Sequence, residues 1–245
     1  MCANCEPALA VAPRRGGPVR RLHAHGAEPD WSRNGREIAF VYATPHGARK
    51  GLLVYLIDPD GRHAREVEIE RHEEGEAEHE LAPVYQDPTF SPDGRLLAFV
   101  AETEPHEVER IFLLALGTGA VRQLTQGPHS AVEPAFAPDG RTLAYACETS
   151  SGTHDICLVD ISSGHRSSLV RTPGDDRNPA FSPSGSTIVF ESDLADRANA
   201  IRSLYLVSRT GGEPRRLTSG FDASQPTFTP DGGQVVFVRR ATVKP

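Results

Sequence analysis

The segment DPTFSPDGRLLAFV, residues 87–100, decides the fold because the chain repeats it four more times. The other copies are EPDWSRNGREIAFV from Glu28, EPAFAPDGRTLAYA from Glu133, NPAFSPSGSTIVFE from Asn178 and QPTFTPDGGQVVFV from Gln225. They start 59, 46, 45 and 47 residues apart, which marks an internal repeat. Proline is tolerated mainly at the first residue of a strand or at a sheet edge, and Pro-Asp-Gly favours a tight turn. Each copy therefore predicts a strand, a turn and a second strand.

A second hairpin motif follows each of the first four copies. It begins at Val54, Ile111, Ile156 and Leu204, and it consists of an apolar strand, a turn containing glycine and a more polar strand. The segment LAVAPRRGGPVRRLH, residues 9–23, matches the motif at Leu204 and supplies the pair of strands that the fifth copy lacks. We therefore predict an all-β fold, a five-bladed β-propeller of four-stranded antiparallel blades. Its N- and C-terminal strands share the last blade and close the ring.

The repeat resembles that of the TolB-like β-propeller family. The resemblance rests on a polar residue and proline before Phe or Trp, on SPDGR before an apolar strand, and on the later GxxRxLT segment. It covers residues 9–240 and implies a non-catalytic scaffold that binds a protein or ligand, since the propeller of TolB is its protein-docking domain. A second hypothesis is enzymatic. Related propellers gate the hydrolase domain of prolyl-oligopeptidase-like peptidases, and others carry metal-dependent sites, so the alternative is a metal-dependent hydrolase or lyase.

Length and charge limit the remaining possibilities. The 245 residues predict a single β-propeller domain over residues 1–245, since closed all-β folds commonly reach this size undivided. The net charge of −7 argues against a nucleic-acid partner, and no segment is long enough to cross a membrane. We expect a monomer that binds a protein or peptide. The protein is cytoplasmic as written, or periplasmic or lipid-anchored through Cys2 if a leader was removed.

The predicted topology places one polar residue of each copy at the mouth of the central channel. The connections between blades and those between second and third strands emerge on one face, which carries the long loops. The residue before each proline lies at the inner rim of that face: Glu28, Asp87, Glu133, Asn178 and Gln225. Five converging polar side chains could bind a ligand or a hard cation such as Ca²⁺. The alternative is that they accept hydrogen bonds from nearby backbone N–H groups.

No arrangement of residues indicates a catalytic site. The chain lacks the G-x-S-x-G, H-E-x-x-H and phosphate-loop motifs, so we predict no catalytic residue, and beyond possible Ca²⁺ at the rim no cofactor. Cys147 and Cys157 fall on adjacent strands of one blade, where we expect two reduced thiols. The aromatic residues of the first two strands should fill the spaces between blades. They are Trp31, Phe90, Phe136, Phe181 and Phe228 on first strands, and Phe40, Phe99, Tyr145, Phe190 and Phe237 on second strands.

Overall fold

The structure is a computed structural model that describes residues 8–12, 18–23, 25–43, 52–67, 85–103 and 108–240. These residues form twenty β-strands and no α-helix, so no described helix could span a membrane. The chain divides into two compact units, one of residues 1–107 with 112–123 and one of residues 108–111 with 124–245. Cys2 lies outside the described residues, and the extent of the predicted single domain stays a prediction.

The first unit contains a two-stranded sheet and two four-stranded antiparallel sheets. The two-stranded sheet pairs β1 (Leu9–Val11) with β2 (Arg20–His23). The next sheet runs in order β3 (Ala27–Trp31), β4 (Ile38–Ala43), β5 (Leu52–Ile57) and β6 (Arg65–Glu66). The third runs in order β7 (Tyr85–Phe90), β8 (Leu96–Thr103), β9 (Val108–Ala115) and β10 (Val121–Gln123), and residues 108–111 of β9 are grouped with the second unit.

The second unit contains two four-stranded antiparallel sheets and one hairpin. The first sheet runs in order β11 (Ala131–Phe136), β12 (Thr142–Glu148), β13 (His154–Asp160) and β14 (Arg166–Val170). The second runs in order β15 (Asp176–Phe181), β16 (Thr187–Ser192), β17 (Ser203–Ser208) and β18 (Arg215–Arg216). The hairpin pairs β19 (Asp222–Phe228) with β20 (Val235–Arg240).

The repeated turn forms as the sequence predicts. In the copy at residue 87, the N–H of Gly94 donates to the carbonyl of Ser91 at 2.9 Å, and Gly94 has a φ of 70°. The Asp93 carboxylate accepts from the Ser91 hydroxyl at 2.7 Å and from the Arg95 N–H at 3.0 Å. The Asp side chain therefore stabilises the turn in which it lies, which explains why Asp recurs at this position.

The prediction of five four-stranded blades is wrong in its count. The described residues form four four-stranded sheets and two separate hairpins, in which β1 pairs with β2 and β20 pairs with β19. The hairpin β1–β2 is held by its own unit, because Leu9 packs against Ile38 and Phe40 and the Arg20 guanidinium donates to backbone carbonyls of the turn after β5. These contacts fix the hairpin on the first unit.

Four of the five aromatic residues of the second strands are buried in the core as predicted, and the fifth, Phe237, is half-buried. Phe40, Phe99, Tyr145 and Phe190 are at most 3% exposed, and each alternates with small or branched apolar residues along its strand. The first-strand prediction fails at Trp31, which is 46% exposed. Trp31 lies in the first repeat, three residues after Glu28.

Candidate functional site

The five predicted rim residues share one backbone conformation. Glu28, Asp87, Glu133, Asn178 and Gln225 have φ values of 51°, 50°, 56°, 50° and 53°. Each lies where the register between first and second strands shifts, so each is the extra residue of a β-bulge. A left-handed conformation is uncommon for a residue with a side chain and for one before proline. In three of the five copies a hydrogen bond to the backbone N–H of this residue supports the conformation.

Those hydrogen bonds come from glutamate side chains of a preceding repeat. In the first unit, Glu28 Oε2 accepts from the N–H of Asp87 at 2.9 Å. In the second unit, Glu133 Oε2 accepts from the N–H of Asn178 at 2.7 Å, and Glu191 Oε2 accepts from the N–H of Gln225 at 2.7 Å. The structure thus gives Glu28 and Glu133 the backbone-capping role that was the alternative to ligand binding. Binding at the five rim residues stays a prediction.

A cluster of charged side chains in the second unit surrounds Asp175. Its Oδ1 accepts from the backbone N–H and from Nδ1 of His154, both at 2.9 Å. Its Oδ2 accepts from Arg177 Nε and from Arg202 Nη2, both at 2.9 Å. Four donors from three residues therefore converge on one carboxylate whose side chain is 20% exposed.

The two arginines extend this cluster to the glutamates that cap the bulges. Arg177 Nη1 lies 3.3 Å from Glu133 Oε1, and Arg202 Nη1 donates to Glu191 Oε1. Each glutamate thus accepts a guanidinium hydrogen bond on one oxygen and a backbone hydrogen bond on the other. We call these six residues the polar cluster: Glu133, His154, Asp175, Arg177, Glu191 and Arg202.

The polar cluster controls the ionisation of its members. Burial alone would raise the pKa of Asp175, but the His154 hydrogen bond and the Arg177 charge outweigh it and hold that pKa well below its usual range. Burial raises the pKa of Glu133, with the Glu191 charge adding to it, although the Asn178 N–H and Arg177 oppose the rise. Burial would lower the pKa of Arg177, but Glu133 and Asp175 raise it. The pKa of each of these three groups therefore depends on the charges of its neighbours in the polar cluster.

The ring of His154 is held by a contact on each of its two nitrogens. Its ring is 8% exposed, its Nδ1 donates to Asp175, and its Nε2 lies 3.3 Å from Arg177 Nη2. An imidazole with hydrogen on Nδ1 satisfies both contacts, because Nε2 then accepts from the guanidinium. Since Nε2 meets a guanidinium rather than a hydroxyl or thiol, this Asp-His pair lacks the nucleophile of a catalytic triad.

Within the part of the chain that the structure describes, Arg177 and Arg202 have more N–H donors than hydrogen-bond partners. A guanidinium has five N–H bonds, and Arg177 uses three and Arg202 two on partners within the cluster. Their side chains are 28% and 27% exposed, whereas Glu191 is 3% exposed. The carboxylates therefore lie deeper than the guanidinium groups. Within the described chain no group of three His, Cys, Asp or Glu side chains has the spacing of a metal site.

Most of this cluster is not among the predicted site residues. Only Glu133 was predicted, although Asn178 and Gln225 contribute their backbone N–H groups. His154, Asp175 and Arg202 lie on or beside the connections that the topology assigns to the loop-bearing face, which is the signal that could have found them. Arg177 directly precedes the rim residue Asn178.

The prediction of two reduced thiols is wrong. Cys147 on β12 and Cys157 on β13 form a disulfide with their Cα atoms 5.9 Å apart. They are diagonal neighbours, because Cys147 pairs with Asp155 and Cys157 pairs with Tyr145 across the two strands. The disulfide lines a groove of about 700 Å³ on the surface of the β11–β14 sheet.

The repeated four-stranded sheets and the bulge at each first strand are features of a β-propeller, and comparison with known proteins identifies the family. The sequence profile described as the TolB beta propeller domain matches residues 79–244. This chain belongs to that family, which confirms the resemblance inferred from its repeats.

Solved structures support the same fold. A protein assigned as TolB from Agrobacterium tumefaciens matches with a TM-score of 0.73 and 23% identity, covering 91% of this chain and 74% of its own. A puromycin-hydrolyzing peptidase from Mycobacterium tuberculosis matches with a TM-score of 0.63 and 17% identity, covering 95% of this chain and 42% of its own. The fold is therefore an all-β propeller.

One relative with similar sequence is named as a peptidase. The uncharacterized peptidase YuxL of Bacillus subtilis is 27% identical over 158 residues, which is 64% of this chain. The match spans 22% of the length of YuxL. Sequence similarity to this chain thus occurs in a protein named as a peptidase, and its fold occurs in proteins named as TolB and as peptidases.

Proposed function

We propose that this chain is a non-catalytic binding module that docks a protein or peptide on the polar cluster and the loops around it. The proposal rests on how the side chains of the polar cluster are hydrogen-bonded. Its carboxylates are engaged by protein donors, while the guanidinium groups of Arg177 and Arg202 keep N–H bonds directed to no other group of the described chain. A surface of this kind offers hydrogen bonds but no free nucleophile.

The chemistry of the guanidinium groups indicates the kind of partner. Arginine recognises carboxylates through two parallel N–H bonds and also donates to backbone carbonyls. Asp175 and the glutamates hold both guanidinium groups in place before binding, so little side-chain entropy is lost when a partner docks. We therefore expect an extended segment that presents carboxylate or carbonyl oxygens. The peptidase activity in the name of YuxL is not transferred to this chain.

Selection of peptides from a random displayed library tests the proposal. We expect peptides enriched on the wild-type protein to bind the Arg177→Gln and Arg202→Gln variants at least about tenfold more weakly, because each change removes charge-assisted hydrogen bonds. Arg209→Gln is the matched control. Arg209 is 30% exposed and paired with Asp139, but it follows β17 at the turn end of its sheet. Equal losses in all three variants, or no enrichment on the wild type, would refute the proposal.

A further inference from the structure

The Cys147–Cys157 disulfide lies in a groove that the second unit forms by itself. Both cysteines are half-buried, and both line the groove of about 700 Å³ on the β11–β14 sheet. Every residue that lines this groove falls within residues 126–171, which belong to the second unit. The two sulfur atoms therefore border a groove, whereas the side chain of Tyr145, two residues before Cys147, is 3% exposed in the core.

The strands that carry the two cysteines are also held together by backbone hydrogen bonds. β12 and β13 pair over seven residues, the last of them Glu148 opposite His154. The turn that follows is closed by the N–H of Thr149, which donates to the carbonyl of Thr153 at 2.8 Å. We therefore expect the protein to stay folded when the disulfide is reduced. The other four-stranded sheets have no cysteine at the equivalent positions, which hold Tyr42 and Tyr55, Ala101 and Phe112, and Ser192 and Tyr205.

The surroundings of Cys157 favour a negative charge on its sulfur. Cys157 pairs with Tyr145 across the two strands. The guanidinium of Arg166 hydrogen-bonds to the Tyr145 side chain, and Arg166 lines the same groove as the disulfide. A nearby guanidinium stabilises a thiolate relative to the neutral thiol. Cys157 can therefore leave an opening disulfide as a thiolate near a positive charge.

The surroundings of Cys147 favour such a charge less. Cys147 pairs with Asp155, and its Sγ lies 3.4 Å from the backbone carbonyl oxygen of that residue. The side chains of Asp155 and Glu148 both line the groove. The charge of Arg171 acts on the Asp155 carboxylate and so offsets one of these two negative groups. A thiolate leaves a disulfide faster when its charge is stabilised, so the attacked sulfur should be that of Cys147.

We propose that the Cys147–Cys157 disulfide is a thiol–disulfide exchange site that takes a dithiol as its reductant. One thiolate of the dithiol attacks Sγ of Cys147, the Sγ–Sγ bond breaks, and its electron pair leaves on Sγ of Cys157 near Arg166. The second thiolate of the dithiol then attacks the mixed disulfide and releases Cys147. The dithiol is oxidised to a disulfide, both cysteines are reduced, and two protons pass from the dithiol to the two cysteine thiols.

Reduction of the folded protein by dithiothreitol tests the proposal. Iodoacetamide stops the reaction, mass spectrometry of peptides counts the labelled Cys147 and Cys157, and far-UV circular dichroism follows the fold. We expect both cysteines to be reduced in buffer at a rate within about tenfold of that in concentrated urea, with an unchanged dichroism spectrum. If the two cysteines are reduced only when the protein unfolds, the disulfide is a structural one and the proposal is overturned.

Two charge variants test the direction of the attack. Arg166→Gln should slow the reduction by dithiothreitol about threefold or more, because the leaving thiolate loses its nearby positive charge. Arg141→Gln is the matched control and should leave the rate unchanged, since Arg141 is exposed at the turn before β12 of the same sheet. Equal rates in the two variants would overturn the proposed role of Arg166.

Single-cysteine variants give an independent measurement of the same asymmetry. At neutral pH, iodoacetamide should alkylate Cys157 in Cys147→Ser faster than it alkylates Cys147 in Cys157→Ser, because only the thiolate reacts. Circular dichroism of both variants verifies that they are folded. The reverse order of the two rates would overturn the assignment of Cys157 as the leaving thiolate.

Discussion

Removal of the Asp175 carboxylate should destabilise the second unit more than removal of any exposed carboxylate. Asp175 accepts four hydrogen bonds of 2.9 Å, two of them from the guanidinium groups of Arg177 and Arg202. Breaking a buried ion pair by deleting one partner costs about 3–5 kcal/mol. Since Arg177 and Arg202 are about a quarter exposed, water can hydrate them in part, and we expect Asp175→Ala to cost about 2–4 kcal/mol. Urea unfolding followed by far-UV circular dichroism measures the loss.

Asp139→Ala is the matched control for this measurement. Asp139 pairs with Arg209 at 2.7 Å, but the two side chains are 38% and 30% exposed. Such exposed pairs contribute at most about 1 kcal/mol. Asp175→Asn should fall between the two, because it keeps the shape of the side chain and loses its charge. If Asp175→Ala and Asp139→Ala reduce the free energy of unfolding equally, the hydrogen bonds of the polar cluster do not stabilise the second unit as we describe.

Three further outcomes are expected. Burial raises the pKa of Asp176 to about 6, against hydrogen bonds from Ser192 and Thr172, so its folded form binds a proton more tightly than its unfolded form. The stability that this provides is complete below about pH 4 and is lost as the pH rises through 6. In the wild type, the free energy of unfolding should fall by on the order of 3 kcal/mol as the pH rises through this range, and in Asp176→Asn this fall should be absent. An equal dependence on pH in the two proteins would contradict this. Reduction of the disulfide, whose cysteines are 10 residues apart, should cost about 2–3 kcal/mol; unchanged melting of Cys147→Ser would argue against the bond. Arg202→Gln should destabilise the second unit more than Asp139→Ala, because it leaves the carboxylate of Glu191, which is 3% exposed, without its guanidinium partner; an equal or smaller loss in urea unfolding would contradict this order.

The repeat made most of the local structure predictable from sequence. Pro-Asp-Gly turns and apolar strands are encoded within each copy, and the polar residue before each proline takes the same left-handed conformation in all five copies. The hydrophobic alternation also identified the buried second-strand aromatics. These features depend on neighbours in sequence, which is why a pattern could identify them.

The pairing between repeats was not predictable in the same way. Arg177 occupies a position that holds Ala27, Gln86, Val132 and Ser224 in the other copies, so the repeat gives no reason to select it. Its partners Glu133 and His154 lie 44 and 23 residues away, and only the packed sheets bring them together. The match between residues 9–23 and β17–β18 likewise predicted that these residues complete the last blade, whereas the described residues place β1 and β2 in a two-stranded sheet of their own.

Metal analysis of protein purified without chelator, paired with thermal melting in EDTA and in added Ca²⁺, tests the central claim most directly. If the carboxylates of the rim and polar cluster are engaged by backbone and guanidinium donors, the protein should carry no stoichiometric cation and its melting curves should overlay. Glu133→Gln should then melt at the same temperature in both solutions. A stoichiometric cation whose removal lowers the melting temperature, with a smaller effect in Glu133→Gln, would contradict the account and favour a metal-dependent enzyme.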